Sequence, residues 1–228
     1  MVTEGGVRKA DPKPSDRVRS RSIYFDGSGD YASMATSSGL LDLSPYDKVT
    51  VEVCFKEAVK DQVKMLYEFT ENANLPVNTG GFFISTNQNG EDLYPGEIHS
   101  CTNNIGHTGT TAHGAKDFKW LNDPSKFCTI TMQMSKVADD TGRLSFVDGV
   151  PAPFFMPTDR EDLVDKATDD TNTIDEGDFA KANFYIGSRA GKESFFKGEI
   201  YSVRIYGRKL TDSEIQRNAE ADRRRFGD

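Results

Sequence analysis

The stretch KVTVEVCF, residues 48–55, alternates without a break. Val49, Val51, Val53 and Phe55 fall on one side of an extended chain, and Thr50, Glu52 and Cys54 on the other. That period of two is what a strand with one buried face requires. Runs of similar length follow: KMLYEF (64–69), GGFFIS (80–85), FCTITMQM (127–134), RLSFV (143–147), NFYIGS (183–188) and GEIYSVRIY (198–206). Between them stand turn dipeptides, Asn89-Gly90, Thr141-Gly142 and Asp148-Gly149, of the kind that close hairpins. Many short strands with no helices alternating between them predict an antiparallel sandwich, not a parallel α/β sheet.

One helix is expected. Thr211 can cap it and Glu214 three residues on can reach back, a capping box, and Arg223, Arg224 and Arg225 then complement the negative end of the helix dipole before Gly227. The predicted fold class is therefore all-β, an antiparallel two-sheet jelly-roll sandwich with one short C-terminal helix over 211–225.

Composition agrees. At 228 residues the chain can build one sizeable core, and its 15 Phe and 8 Tyr favour half-buried strands. A net charge of -8 leaves no basic field for nucleic acid. No run approaches 18 apolar residues, so membrane insertion is not expected, and no apolar signal segment opens the chain. Cys54, Cys101 and Cys128 are too few and too widely spaced for a disulfide framework.

Residues 1–22 differ from the rest. Arg8, Lys9, Lys13, Arg17, Arg19 and Arg21 outnumber Glu4, Asp11 and Asp16, and no apolar period appears. The segment reads as a flexible basic arm, which would become ordered only against a partner surface such as a neighbouring subunit of an assembly. Residues 23–228 form the sandwich.

Five motifs, FDGSGDY (25–31), VTVEVCFK (49–56), LSFVDGVP (144–151), NFYIGSR (183–189) and FKGEIYSVRIYGRKLTDSEI (196–215), occur in this order. Together they resemble the laminin-G-like, concanavalin-A-like jelly-roll domains of bacterial surface proteins and phage virion proteins. The resemblance spans roughly residues 22–228 and implies a recognition or adhesion module at a cell or virion surface, with a glycan or other cell-surface ligand. It also implies calcium as a frequent companion. Tyr201 stands where many such domains carry Asp, which removes one carboxylate from that set.

Asp26 and Asp30 flank Gly27-Ser28-Gly29. Such a loop can offer carboxylate, carbonyl and hydroxyl oxygens to calcium, or it can be a turn whose Asp side chains accept backbone N–H groups. In EIHSCTNNIGHTGTTAH (97–113) the spacing of His99, Cys101, His107 and His113 fits no zinc pattern. The segment reads as a flexible loop between strands in which Asn103, Asn104 and His107 could hydrogen-bond sugar hydroxyls. Trp120 and Tyr94 are candidate platforms for a pyranose ring, although a lone Trp can equally be core. The acidic stretch 159–178, with nine carboxylates, reads as a solvated loop. Retaining glycosidases need two carboxylates about 5–5.5 Å apart, and no strand here carries such a pair. No enzymatic activity is expected.

Overall fold

A computed structural model describes residues 22–34, 41–57, 64–70, 81–86, 98–103, 127–137, 143–151 and 182–227, with backbone alone at 57, 81–86, 98–103 and 143–145. In chain order the elements are β1 (Ile23–Asp26), β2 (Ala32–Met34), β3 (Lys48–Glu57), β4 (Lys64–Thr70), β5 (Gly81–Thr86) and β6 (Ile98–Asn103). There follow β7 (Cys128–Ser135), β8 (Arg143–Val147), β9 (Val150–Pro151), β10 (Asn183–Ile186), β11 (Lys197–Tyr206) and the helix α1 (Asp212–Phe226). Every pairing is antiparallel. A six-stranded sheet runs β1-β11-β3-β7-β8-β9 and a five-stranded sheet runs β2-β10-β4-β5-β6.

The core lies between the sheets. Val49, Val51, Val53 and Phe55 of β3 oppose Tyr67 and Phe69 of β4 and Phe184 of β10 within one apolar cluster. Three rings from one edge lock together: Phe196 meets Phe25 at 6.4 Å and Phe55 at 5.9 Å, both edge-on. That geometry adds electrostatic attraction to the area the rings bury.

The other face of β3 is also buried, contrary to its polar sequence. Thr50, Glu52 and Cys54 are fully enclosed because α1 lies across the outer face of the six-stranded sheet. Arg204 on β11 binds Asp222 of α1 with two bonds of 2.7 and 2.6 Å, and its Nε donates to Glu52 at 2.7 Å. Asn218 and Tyr206 also donate to Glu52, and the Thr129 hydroxyl donates to Asp222. The polar half of the alternating stretch thus seats the helix. Burial by the helix, with Asp222 nearby, pushes the Cys54 thiol up to about 12, so it stays protonated.

The helix begins as its sequence requires. Thr211 Oγ1 accepts the Glu214 N–H, and Glu214 Oε2 accepts the Thr211 N–H at 2.9 Å. The Arg208 guanidinium grips the same carboxylate and holds it down at about 2. Thr211→Ala is expected to remove about 1 kcal/mol of stability, measured by urea unfolding; an unchanged midpoint would mean that the cap is redundant.

Ile98–Asn103 is a strand, not the loop its Asn- and His-rich sequence suggests. It pairs along its whole length with β5, and that sheet edge outweighs the weak local β-propensity. Of the basic arm, only Ser22 lies among the described residues, its hydroxyl donating to Glu199 at 3.1 Å.

Candidate functional site

The Asp26–Asp30 loop connects β1 to β2. The Ser28 N–H donates to Asp26 Oδ1 at 2.7 Å, and the Asp26 N–H donates to Asp30 Oδ2 at 3.2 Å. Gly27 holds φ 81°, and a Cβ there would lie 2.8 Å from the Lys197 Cβ. Both carboxylates thus hold the turn through backbone donors. Among the described residues no three His, Cys, Asp or Glu side chains gather as a metal site.

Tyr94, Asn104, His107 and Trp120 lie outside the described residues. Asn103 ends β6, and the register places it in one row with Gly81, Thr70 and Asn183 across the five-stranded sheet. Two residues along, the neighbouring row holds Cys101, Phe83, Glu68, Tyr185 and Ser33. That second row leads to the most unusual chemistry among the described residues.

On β4 Tyr67 and Phe69 face the core, so Glu68 between them points to the outer face of the five-stranded sheet, yet it has no exposed surface. A tight turn after β10 covers it. Four residues there, Gly187, Ala190, Gly191 and Ser194, have φ between 50° and 79°, a region costly for the two that are not glycine. Only an over-determined segment holds such residues. The Gly187 N–H donates to Leu66 O at 3.0 Å, the Met65 N–H to Ser194 O at 2.9 Å, and the Ala190 N–H to Glu68 Oε2 at 2.7 Å.

The other Glu68 oxygen is less well served. Oε1 faces Arg189 Nε at 3.7 Å, beyond hydrogen-bonding distance, and both atoms are buried with no hydrogen-bond partner. Glu193 approaches the same guanidinium at 3.8 Å. Burial pushes the Glu68 carboxyl up to about 7, with Arg189 and the Ala190 N–H opposing the shift and Glu193 adding to it. The folded protein holds this proton more tightly than the unfolded chain. The associated stability is full below the ordinary carboxyl value and is lost as pH rises through about 7.

Beside this ion cluster stand two rings. Tyr31 and Tyr185 pair at 6.1 Å with a 51° tilt. The turn rests on Tyr31 so closely that a Cβ at Gly191 would lie 2.8 Å from its Cζ. Tyr31 is half-buried and Arg189 keeps 28% of its side chain exposed. Tyr31 thus packs on the same turn that carries the partly exposed Arg189 guanidinium and the exposed Glu193 carboxylate.

A concavity of about 320 Å³ opens between the sheets at the β1 and β2 edges. Partly buried Ile23, Met34, Ile186, Val203 and Ile205 line it. Its walls are mainly apolar, which suits hydrocarbon better than sugar hydroxyls.

The sequence profile of the concanavalin A-like lectin/glucanases superfamily matches residues 163–216. No curated protein matches. Among solved structures, the chain is similar to the CBM40 domain of the Ruminococcus gnavus IT-sialidase, in a complex with α2,3-sialyllactose, at 13% identity and TM-score 0.58. The similarity covers 88% of this chain and 97% of that one. A native heptameric SAP-like pentraxin from Limulus polyphemus is similar at 13% identity and TM-score 0.57, over 87% and 81% of the two chains. The NanB sialidase from Streptococcus pneumoniae is similar at 16% identity and TM-score 0.56, covering 85% of this chain but 26% of the enzyme.

The chain has the concanavalin A-like jelly-roll fold. In this jelly roll the helix occupies the outer face of the six-stranded sheet, and the Tyr31–Arg189 cluster belongs to the other sheet. Of its members, Tyr31, Tyr185 and Arg189 fall inside two of the sequence motifs, and Glu68 inside a strand. Nothing local marked them as a site, because Glu68 and Ala190 meet across 122 residues of chain.

Proposed function

We propose that the protein is a non-catalytic glycan-binding module whose ligand lies on the outer face of the five-stranded sheet, against Tyr31 and Arg189. The observation that carries this reading is a half-buried tyrosine packed against the turn that also carries a partly exposed guanidinium and an exposed carboxylate. Sugars present an apolar ring face and a rim of hydroxyls, and such a surface offers a partner to each. The sialyllactose complex of the similar CBM40 domain supports the ligand class. Display on a cell or virion surface is the setting that the sequence motifs imply for such a module.

Glu68 and Glu193 at one arginine are two carboxylates of the number a glycosidase uses. Glu68, however, is fully enclosed and committed to the Ala190 N–H, so neither a glycosidic oxygen nor an attacking water reaches it. Glu193 alone cannot carry out a double displacement. We therefore read this cluster as a binding surface and not as a hydrolytic pair.

The test is a glycan array, run with calcium and again with a chelator, because Asp26 and Asp30 remain our proposed positions for a cation. Tyr31→Ala is expected to weaken binding of any glycan found by about tenfold with the far-UV spectrum unchanged. Undiminished binding by that variant would move the site elsewhere. Silence of the folded protein on the array would favour the alternative of an assembly subunit docked through residues 1–22.

A further inference from the structure

We propose that Arg189 is a receptor for an anionic group on the ligand, a carboxylate by preference, and that Glu68 beneath it gates the receptor by taking up or releasing a proton. This deepens the glycan reading by naming acidic saccharides as the ligand class.

The geometry comes first. The Arg189 guanidinium sits between two carboxylates, at 3.7 Å from Glu68 and 3.8 Å from Glu193, and makes a hydrogen bond to neither. A guanidinium normally satisfies its fork with bidentate partners. Here Nε is buried without one, and 28% of the side chain still faces solvent. The backbone explains why the pair stays apart. Glu68 is held through Oε2 by the Ala190 N–H, and residue 190 is fixed at φ 50° in a turn tied to β4 at Leu66 and Met65. The turn thus holds Glu68 through Oε2 and leaves Oε1 at 3.7 Å from the guanidinium.

An incoming carboxylate would meet the exposed edge of this cation. When Glu68 is ionised, two carboxylates already surround Arg189 and the local charge is net negative, so an anion is repelled. When Glu68 is protonated, Glu193 alone balances Arg189. Glu193 is 53% exposed and can swing into water.

Among the described residues, the charged groups that face Glu68 come from one turn. The turn brings Arg189 and Glu193, with exposed Lys192 beyond them. Beside Glu68 in the sheet ladder, β10 places Tyr185 and β5 places Phe83. The Glu68 carboxyl itself is pushed up to about 7, chiefly by burial.

Such a carboxyl is almost wholly protonated at pH 5.5 and about one-tenth protonated at pH 8, so the receptor-competent fraction changes about tenfold. Glucuronate is the probe and glucose its neutral control, followed by ¹⁵N shifts of the Arg189 side chain and the Ala190 amide. Glucuronate is expected to bind about tenfold more tightly at pH 5.5 than at pH 8. Glu68→Gln should bind it equally at both, at the tighter level, and Arg189→Met should lose the preference for glucuronate over glucose. A ¹³C titration of Glu68 in the unaltered protein provides a check that needs no variant: saturating glucuronate should raise its midpoint.

Glucuronate binding independent of pH, a pH dependence that survives in Glu68→Gln, or a Glu68 midpoint indifferent to glucuronate would each overturn the proposal. If neutral glycans bind at Tyr31 and glucuronate gains nothing, this inference fails and the glycan reading stands. If glucuronate binds with the expected pH dependence while the array is silent, the anion receptor stands and the glycan reading fails. If no probe binds, both fail.

Discussion

Replacing Arg204 by methionine is expected to lower the free energy of unfolding by about 3–5 kcal/mol, the cost typical of removing one partner from a buried ion pair. The guanidinium holds Asp222 through two short bonds and Glu52 through a third. Glu52 is fully buried and Asp222 keeps 3% of its side chain exposed. Methionine fills much of the volume but leaves two carboxylates facing each other under the helix. The remaining donors, Asn218 and Tyr206 on Glu52 and Thr129 on Asp222, are neutral and cannot offset two charges. Equilibrium unfolding in urea measures the loss. A change below about 1 kcal/mol would place the network among solvent-screened pairs of small effect and would remove our account of how α1 is held.

Phe196→Ala is expected to cost a similar amount, about 3–5 kcal/mol, because truncating a buried ring forfeits its transfer energy and leaves a cavity. Phe196 has no exposed surface and is in edge contact with both Phe25 and Phe55. The effect should reach the proposed site. The Phe196 N–H donates to Gly187 O at 2.9 Å, and the Phe25 ring lies so near Gly187 that a Cβ there would come within 2.6 Å of it. Gly187 opens the turn that carries Arg189. A fall in melting temperature on the order of 10 °C, with exchange of the Ala190 amide accelerated more than that of β3 amides, is the expected result. Equal acceleration everywhere would mean that the ring supports the sandwich globally and the turn no more than the rest.

The strands were legible where alternation was clean. Val49 to Phe55, Asn183 to Ile186 and Lys197 to Tyr206 are strands as their period of two predicts, and Thr211 with Glu214 opens the helix. Sequence did not show that the polar face of β3 would be buried, since Glu52 looks solvated until Arg204, 152 residues away, is folded against it. Strand β6 was hidden by its Asn and His content for the same reason: pairing with β5 is a tertiary fact. The proposed site was least legible. Its residues come from the β1–β2 loop, β4, β10 and the turn after β10, and no local spacing predicts that a lone Glu in KMLYEF meets an Arg in NFYIGSR. Asp26 and Asp30 were legible as a loop, and the backbone hydrogen bonds give the turn reading its support.

The central claim is that ligand recognition occurs on the outer face of the five-stranded sheet. The most direct measurement is backbone and side-chain chemical-shift mapping of the folded protein with α2,3-sialyllactose, beside lactose as the neutral control. The account predicts shifts concentrated at Tyr31, Tyr185, Ala190 and Glu193 and at the Arg189 side chain, with α1 silent. Shifts confined to the apolar cleft at Met34 and Val203, or to the α1 face around Arg204, would contradict it.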